Sequence, residues 1–329
     1  MKFKPATDPS IESNKMKRLA GLFLASLLFT PASAAAPKRT VQELTIQSGD
    51  GTPLKAVLSL PEGGGRYATV ITVHGGEGGR DFATVRNVAD PASDSPTVQM
   101  LNDSDWAILS IGFRPGAILG AEEDDVVAAV RFAQANPALD PKRIALVGGS
   151  HGGNLVLRAA IRTGKAANCA VAGSPWMTNP ELFLKGEFSK APLSELKPAA
   201  QRFISTSRER LLAGFSRRGL VNADLDRAIA DKSIERNAKH IEIPALFLLS
   251  EADVQVPASL VEPTIATMQA AGRKAEVLKV RDSLHGFYWG RTGEFGSRAG
   301  AGPKTPTQWA EEETTRRVMR DFLQRCLSR

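Results

Sequence analysis

Ile144-Ala145-Leu146-Val147-Gly148-Gly149-Ser150-His151-Gly152-Gly153 is the stretch on which the reading of this 329-residue chain turns. The apolar run Ile144–Val147 has the length and composition of a buried strand. Asn154–Ile161 has helical spacing and stops at Gly164, a residue suited to a left-handed helix end. A G-x-S-x-G between a strand and a helix implies a sharp turn with a serine at its apex. The flanking Gly148 and Gly152 leave room for the tight backbone, and the following helix N-terminus favours negative charge near the Ser150 hydroxyl. The motif alone recurs by chance in a chain with 29 glycines, so its meaning depends on what else reaches the same place.

Outward from this stretch, strands and helices alternate. Val41–Gln47 and Leu54–Leu60, joined by Gly51-Thr52-Pro53, read as a hairpin, and Tyr67–Val73 as a continuously apolar central strand. A weak helix is expected near Thr97–Leu101, a strand at Trp106–Ile111 and a helix at Glu122–Ala135 stopped by Asn136-Pro137. After the serine come strands at Cys169–Ala172, Ile243–Leu249 and Ala275–Val280, with a helix running to Ala271-Gly272 between the last two. The final helix has Thr305 as N-cap, Pro306 at its first position and Gln308 to complete a capping box. Val318, Phe322, Leu323 and Cys326 lie on one apolar face. This alternation implies a mostly parallel sheet flanked by helices, with functional groups at the C-terminal strand ends. Between residues 176 and 240 it breaks: Phe203, Leu211, Leu212 and Phe215 recur with helical period, and the segment is expected to be an inserted helical cap. Residues 294–303 read as a glycine-rich loop.

Lys15, Lys17 and Arg18 precede the apolar run Leu19–Phe29 and the small-residue site Pro31-Ala32-Ser33-Ala34, the pattern of a signal peptide over residues 1–34. Met16 is an alternative start, and the run is short for a membrane span. The expectation is an exported, periplasmic or secreted protein, residues 35–329, with no stable membrane insertion after cleavage. The formal net charge is +7. Residues 1–34 supply five basic against two acidic side chains, or +3, which leaves +4 without a dense basic block, so nucleic acid is not an expected partner. Cys169 and Cys326 could pair in an oxidising compartment but are read as free buried cysteines. Neither has a partner at metal-ligand spacing, no metal site is expected, and Gly75–Gly79 lack the G-K-[ST] of a phosphate loop.

A serine hydroxyl needs a base, and the base an orienting acid. Of the four histidines, His285 follows the last strand and lies on the same sheet edge as Ser150. His74 closes a strand, His151 adjoins the serine, and His240 is the weaker alternative. The acid is expected after the preceding strand, where Asp253 is preferred and Glu251 is the fallback. Backbone N–H groups of Gly76 and His151 are the expected oxyanion donors. Trp176, Phe183, Tyr288 and Trp289 could line a pocket beneath the cap.

Together H-G-G at 74–76, D-P-K-R-I at 140–144, G-G-S-H-G-G at 148–153, D-x-x-V-P at 253–257 and H-G-F at 285–287 resemble the α/β-hydrolase superfamily, over residues 41–329. Within it they resemble both the catalytic domain of prolyl oligopeptidase-type serine peptidases and the dienelactone hydrolase-like esterases. The resemblance implies an α/β-hydrolase fold, Ser150 as nucleophile with Asp253 and His285, Gly76 and His151 as amide donors, and no cofactor. It implies a small-molecule ester or short peptide as substrate, with ester cleavage the leading expectation and a peptidase or amidase the alternative. Two features depart from these groups. The oligopeptidases carry a β-propeller before the catalytic domain, where only residues 1–40 precede the first strand here, and dienelactone hydrolases use cysteine where this chain has Ser150.

Overall fold

A computed structural model describes residues 36–185, 195–290 and 303–328. The signal-like segment 1–34 and most of the loop 294–303 lie outside these residues. Eight strands form one sheet: β1 (Arg39–Gln47), β2 (Pro53–Pro61), β3 (Tyr67–Val73), β4 (Ala107–Ile111), β5 (Leu139–Gly149), β6 (Cys169–Gly173), β7 (Ala245–Ser250) and β8 (Ala275–Val280). Their spatial order is β1-β2-β4-β3-β5-β6-β7-β8. β1 and β2 are the expected hairpin, β2 pairs antiparallel with β4, and every later pairing is parallel. The central strands are buried on both faces, as an inner parallel strand should be, while the edge strands β1 and β8 expose much of their length.

The helices are α1 (Phe82–Arg86), α2 (Pro96–Asn102), α3 (Glu122–Ala135), α4 (His151–Thr163), α5 (Pro180–Lys185), α6 (Pro198–Arg217), α7 (Asn222–Lys232), α8 (Ile234–Asn237), α9 (Glu262–Ala270) and α10 (Pro306–Leu327). On one face of the sheet α3, α4, α8 and α9 bury Val126, Val130, Leu155, Ile234 and Ile265. On the other, α1, α2 and α10 bury Val85, Leu101, Phe322 and Leu323. A third apolar cluster gathers Leu182, Phe183, Ile204, Phe215 and Ile229 from α5, α6 and α7, over the C-terminal strand ends. The segment 176–240 is not uniform, however: Ile234 and Ala238 at its end belong to the main core. Leu212, grouped with the apolar residues of α6 on periodicity, is exposed, because that short helix stack covers only one side of α6.

Both arms of the capping box form: Thr305 Oγ1 accepts from the Gln308 N–H at 3.2 Å, and the Thr305 N–H donates to Gln308 Oε1 at 3.0 Å. The cysteines depart from the reading as free thiols. Cys169, at the start of β6, and Cys326, near the end of α10, are disulfide-bonded, with Cα atoms 6.2 Å apart. The apolar face of α10 lies across the sheet and brings its last turn onto β6, a juxtaposition that sequence spacing cannot reveal.

After β3 the chain moves outward to β4, and after α3 it returns to the other side of β3 as β5. The C-terminal ends of β3 and β5 are therefore adjacent at the point where the winding reverses, which is where sheets of this kind bind ligands. His74-Gly75-Gly76 leave one of these ends and Ser150 leaves the other.

Candidate active site

Ser150 sits between β5 and α4 with φ 53° and ψ −120°, a conformation that costs on the order of 1–3 kcal/mol for a residue with a side chain. Its surroundings hold it there. The Ser150 N–H donates to the Gly173 carbonyl at 2.8 Å, and its own carbonyl accepts from the Trp176 N–H at 2.9 Å. A Cβ at Gly152 would lie 2.3 Å from the Val73 carbonyl oxygen, and one at Gly148 2.3 Å from that of Gly152, so the turn closes only without those side chains. Gly149 and Gly173 make room for something else. The ring of Tyr288 packs against both, 2.0 Å and 2.3 Å from where their Cβ atoms would stand.

Beyond the end of β7, two strands over from β5, the Asp253 carboxylate is fixed at both oxygens. Oδ1 accepts from the N–H groups of Gln255 and Val256, each at 2.9 Å, and Oδ2 accepts from His285 Nδ1–H at 2.7 Å. With Nδ1–H donated to this buried carboxylate, Nε2 is the ring nitrogen of His285 left with a lone pair. Glu251 points away, exposed and facing Lys279. His240 is exposed beyond α8. The His285 ring meets Tyr288 edge-on with centroids 6.0 Å apart, so Tyr288 separates His285 from the backbone that leads into Ser150. Among the described residues no hydrogen bond joins Ser150 Oγ to His285. Burial, and secondarily the charge of Asp253, pushes the Tyr288 phenol well above its ordinary range.

The loop bearing His285 is itself held by α10. Glu311 accepts from the N–H groups of Arg281, Asp282 and Ser283 and from the Ser283 hydroxyl. Burial raises the Glu311 carboxyl, but the bonds from Ser283 and these amides together bring it below its ordinary range.

Ser150, Gly76 and His151 line one open cleft of about 310 Å³, which Phe203, Ser207, Arg210 and Leu211 of α6 also line. Of the aromatic residues expected there, only Trp176 lines it. Phe183 is buried within the α5–α7 cluster, and Tyr288 and Trp289 belong to the core beneath the sheet edge. On the other wall, the Gly75 carbonyl accepts from His74 Nδ1–H at 2.9 Å. A trans peptide directs its N–H opposite to its carbonyl, so this bond also sets the direction of the Gly76 N–H. Burial lowers the His74 pKa to about 4, so the ring is neutral near pH 7.

The sequence reading missed a set of buried charges beside this cleft. Glu122, Glu123 and Asp125 in the first turn of α3 are all buried. Glu122 meets His151, Glu123 meets Arg158 and Lys232, and Asp125 meets Arg114 and Ser48. Nothing local in the run E-E-D-D marks these acids as buried, since acids are favoured in the first turn of any helix.

The alpha/beta hydrolase fold family matches the chain over residues 71–289, a span that contains Gly76, Ser150, Asp253 and His285. The chain belongs to the alpha/beta hydrolase fold family. This alpha/beta hydrolase is 23% identical over 288 residues to acylamino-acid-releasing enzyme 1 of Oryza sativa subsp. japonica, covering 84% of this chain and 34% of that one. Its fold is similar to that of a Mycobacterium tuberculosis puromycin-hydrolyzing peptidase, with a TM-score of 0.63, 17% identity, and 89% of this chain against 40% of that one. A hyperthermophilic esterase from Pyrobaculum calidifontis is also similar, with a TM-score of 0.56, 17% identity, and 90% and 88% of the two chains covered. The chain thus spans about a third of the rice relative and two fifths of the mycobacterial one. It is a hydrolase of this family.

Proposed function

We propose that this hydrolase cleaves carboxylic esters through an acyl-enzyme, with Ser150 as nucleophile, His285 as base and Asp253 as its orienting acid. The observation that carries this reading is the Asp253–His285 pair, bonded at 2.7 Å beyond the ends of β7 and β8, on the same sheet edge as the strained serine turn. In the proposed cycle Ser150 Oγ attacks the carbonyl carbon while its proton passes to His285 Nε2. The imidazolium so formed is stabilised by the Asp253 carboxylate. Gly76 and His151 N–H groups stabilise the oxyanion, His285 returns the proton to the departing alkoxide, and water repeats the sequence to release the acid.

The α5–α7 cluster over the cleft is read as the cap that limits access to it. Export to an oxidising compartment is part of the same proposal. It is supported by the signal-like residues 1–34 and by the Cys169–Cys326 disulfide, a bond that persists mainly outside reducing cytosol.

A second reading, a peptidase or amidase using the same three residues, is favoured by the likeness to the rice and mycobacterial proteins. Purified protein is expected to hydrolyse p-nitrophenyl butyrate faster than peptidyl p-nitroanilides, and the reverse order would favour the second reading. In either case Ser150→Ala is expected to abolish turnover and labelling by a fluorophosphonate probe. Full turnover in that variant would falsify the site assignment.

A further inference from the structure

We propose that the side chain of His151, supported by Glu122, is a positioning residue for the oxyanion hole, holding the Gly76 segment by its carbonyl. The proposal rests on the reading of Ser150 and its amide donors given above, and extends it to a ring that the reaction scheme does not use.

Among the described residues no backbone hydrogen bond joins the Gly76 loop to α3, and His151 bridges the two. Its Nδ1 lies 3.0 Å from the Gly76 carbonyl oxygen, and its Nε2 lies 3.1 Å from Glu122 Oε2. A carbonyl can only accept, so Nδ1 must carry the proton. Nε2 then donates to a carboxylate or accepts from a carboxyl, and in both arrangements each ring nitrogen is satisfied and the bond to Gly76 is kept. Neither group can turn to water instead, because His151 is 5% exposed and Glu122 1%. The ring is wedged between Phe113 and Trp176, edge-on to both, with centroids 5.2 Å and 5.4 Å away.

Gly76 needs such a hold. It has φ +77° and no side chain, and it lies outside any strand or helix. His74 fixes the carbonyl on its N-terminal side and His151 the carbonyl on its C-terminal side. The Gly76 N–H belongs to the first of these two tethered peptide units, and the second holds the chain directly after it. Among the described residues, the His151 ring is the only group bonded to the Gly76 carbonyl. The same residue presents its backbone N–H as the other proposed donor, so one ring sets the spacing of the two donors. Donors fixed in advance act mainly on the charge that develops in the transition state, and loss of one such donor costs about 10²–10³ in kcat. Loosening a donor should cost less than deleting it.

The experiment uses the full chain and p-nitrophenyl butyrate. His151→Phe keeps the ring's bulk and removes both nitrogens; it is expected to lower kcat roughly 10- to 100-fold with KM changed by less than about threefold. Affinity for an alkyl boronic acid, whose serine adduct is tetrahedral, should fall by a similar factor. Glu122→Gln, whose amide can donate to Nε2, should keep near wild-type kcat, whereas Glu122→Leu should resemble His151→Phe. The His151→Phe/Glu122→Leu double variant should be no worse than His151→Phe alone, since both remove one strut. Wild-type kcat in His151→Phe, a loss confined to KM, or unchanged boronate affinity would overturn the proposal. If His151→Phe does not fold, the contrast between Glu122→Gln and Glu122→Leu decides, and equal activity in the two overturns it. Ser150→Ala separates the two levels: an active Ser150→Ala refutes the site itself, while an inactive Ser150→Ala beside a fully active His151→Phe refutes only the strut.

Discussion

Cys326→Ser is a direct test of how the last helix is held. The disulfide closes a loop with its ends 157 residues apart, tying α10 to the first residue of β6. The loop-closure entropy for that length corresponds to about 5 kcal/mol of stability at 25 °C, toward the upper end of what such bonds deliver. Cys326 is only half-buried, so the serine itself adds little cost, whereas serine at the fully buried Cys169 would leave an unpartnered hydroxyl. Met319, Phe322, Leu323 and Leu327 still pack in Cys326→Ser, so the fold should persist with lower stability. With an unfolding entropy of about 2.1 cal/mol/K per residue over nearly 300 residues, the loss corresponds to a fall of roughly 8 °C in Tm. The assay is urea and thermal unfolding of periplasmically expressed protein, with and without dithiothreitol. Reductant should shift the wild type toward the variant and leave the variant unmoved. The urea m-value should rise on reduction, because a cross-linked unfolded chain exposes less surface. Thiol titration in denaturant should find no free thiol in the oxidised wild type. Two titratable thiols, or a Tm in Cys326→Ser within about 1 °C of wild type, would refute the reasoning.

Asp253→Asn should lower kcat for p-nitrophenyl butyrate by about 10³–10⁴-fold at nearly constant KM, because the amide cannot stabilise the imidazolium and favours the wrong tautomer. A loss under tenfold in steady-state kinetics would remove Asp253 from the role proposed for it. Stability should also fall in mild acid on account of His74. Burial holds its folded pKa at about 4 against an ordinary 6.5, so the unfolded chain takes up the proton first and stability declines as pH drops through that interval. The full shift corresponds to on the order of 3 kcal/mol. Urea midpoints from pH 7 to pH 4 should therefore fall more steeply for wild type than for His74→Asn; parallel curves would contradict the assignment.

Much of the fold is legible in the sequence because its strands are buried on both faces, which writes them as unbroken apolar runs between turn residues. Ile144–Val147 and Leu246–Leu249 need no context to be read. Where a strand is irregular the reading shortens: β5 begins at Leu139, before Asp140-Pro141, and pairs with β3 around a register shift between Tyr67 and Thr69. Helix α1 is not legible at all. Its five residues are too few to show a period, and it depends on Asp81, whose side chain accepts from the Thr84 N–H, and on burial of Val85. The disulfide is illegible for a different reason: both cysteines sit at apolar positions that would suit free thiols equally, and only the path of α10 over the sheet brings them together.

For the site, the difference lies in whether a residue's partner is near in sequence. Asp253 is distinguishable from Glu251 because its short side chain bonds the N–H groups two and three residues on, a local turn that glutamate at 251 does not form. Glu122 has no such local mark. Its neighbours Glu123 and Asp125 look like the solvated acids that favour any helix N-terminus, yet each is buried against a different partner from α4, from the loop at Arg114 or from α7. Burying an acid without its partner costs several kcal/mol, so these positions tolerate acids only because the whole fold delivers the matching groups. His151 combines both kinds of information. Its proposed backbone role follows from its place directly after Ser150 in the motif, while its proposed side-chain role depends on Gly76 from the loop after β3 and Glu122 from α3. The variable position of G-x-S-x-G is therefore constrained here as tightly as its glycines, by contacts lying 75 and 29 residues away.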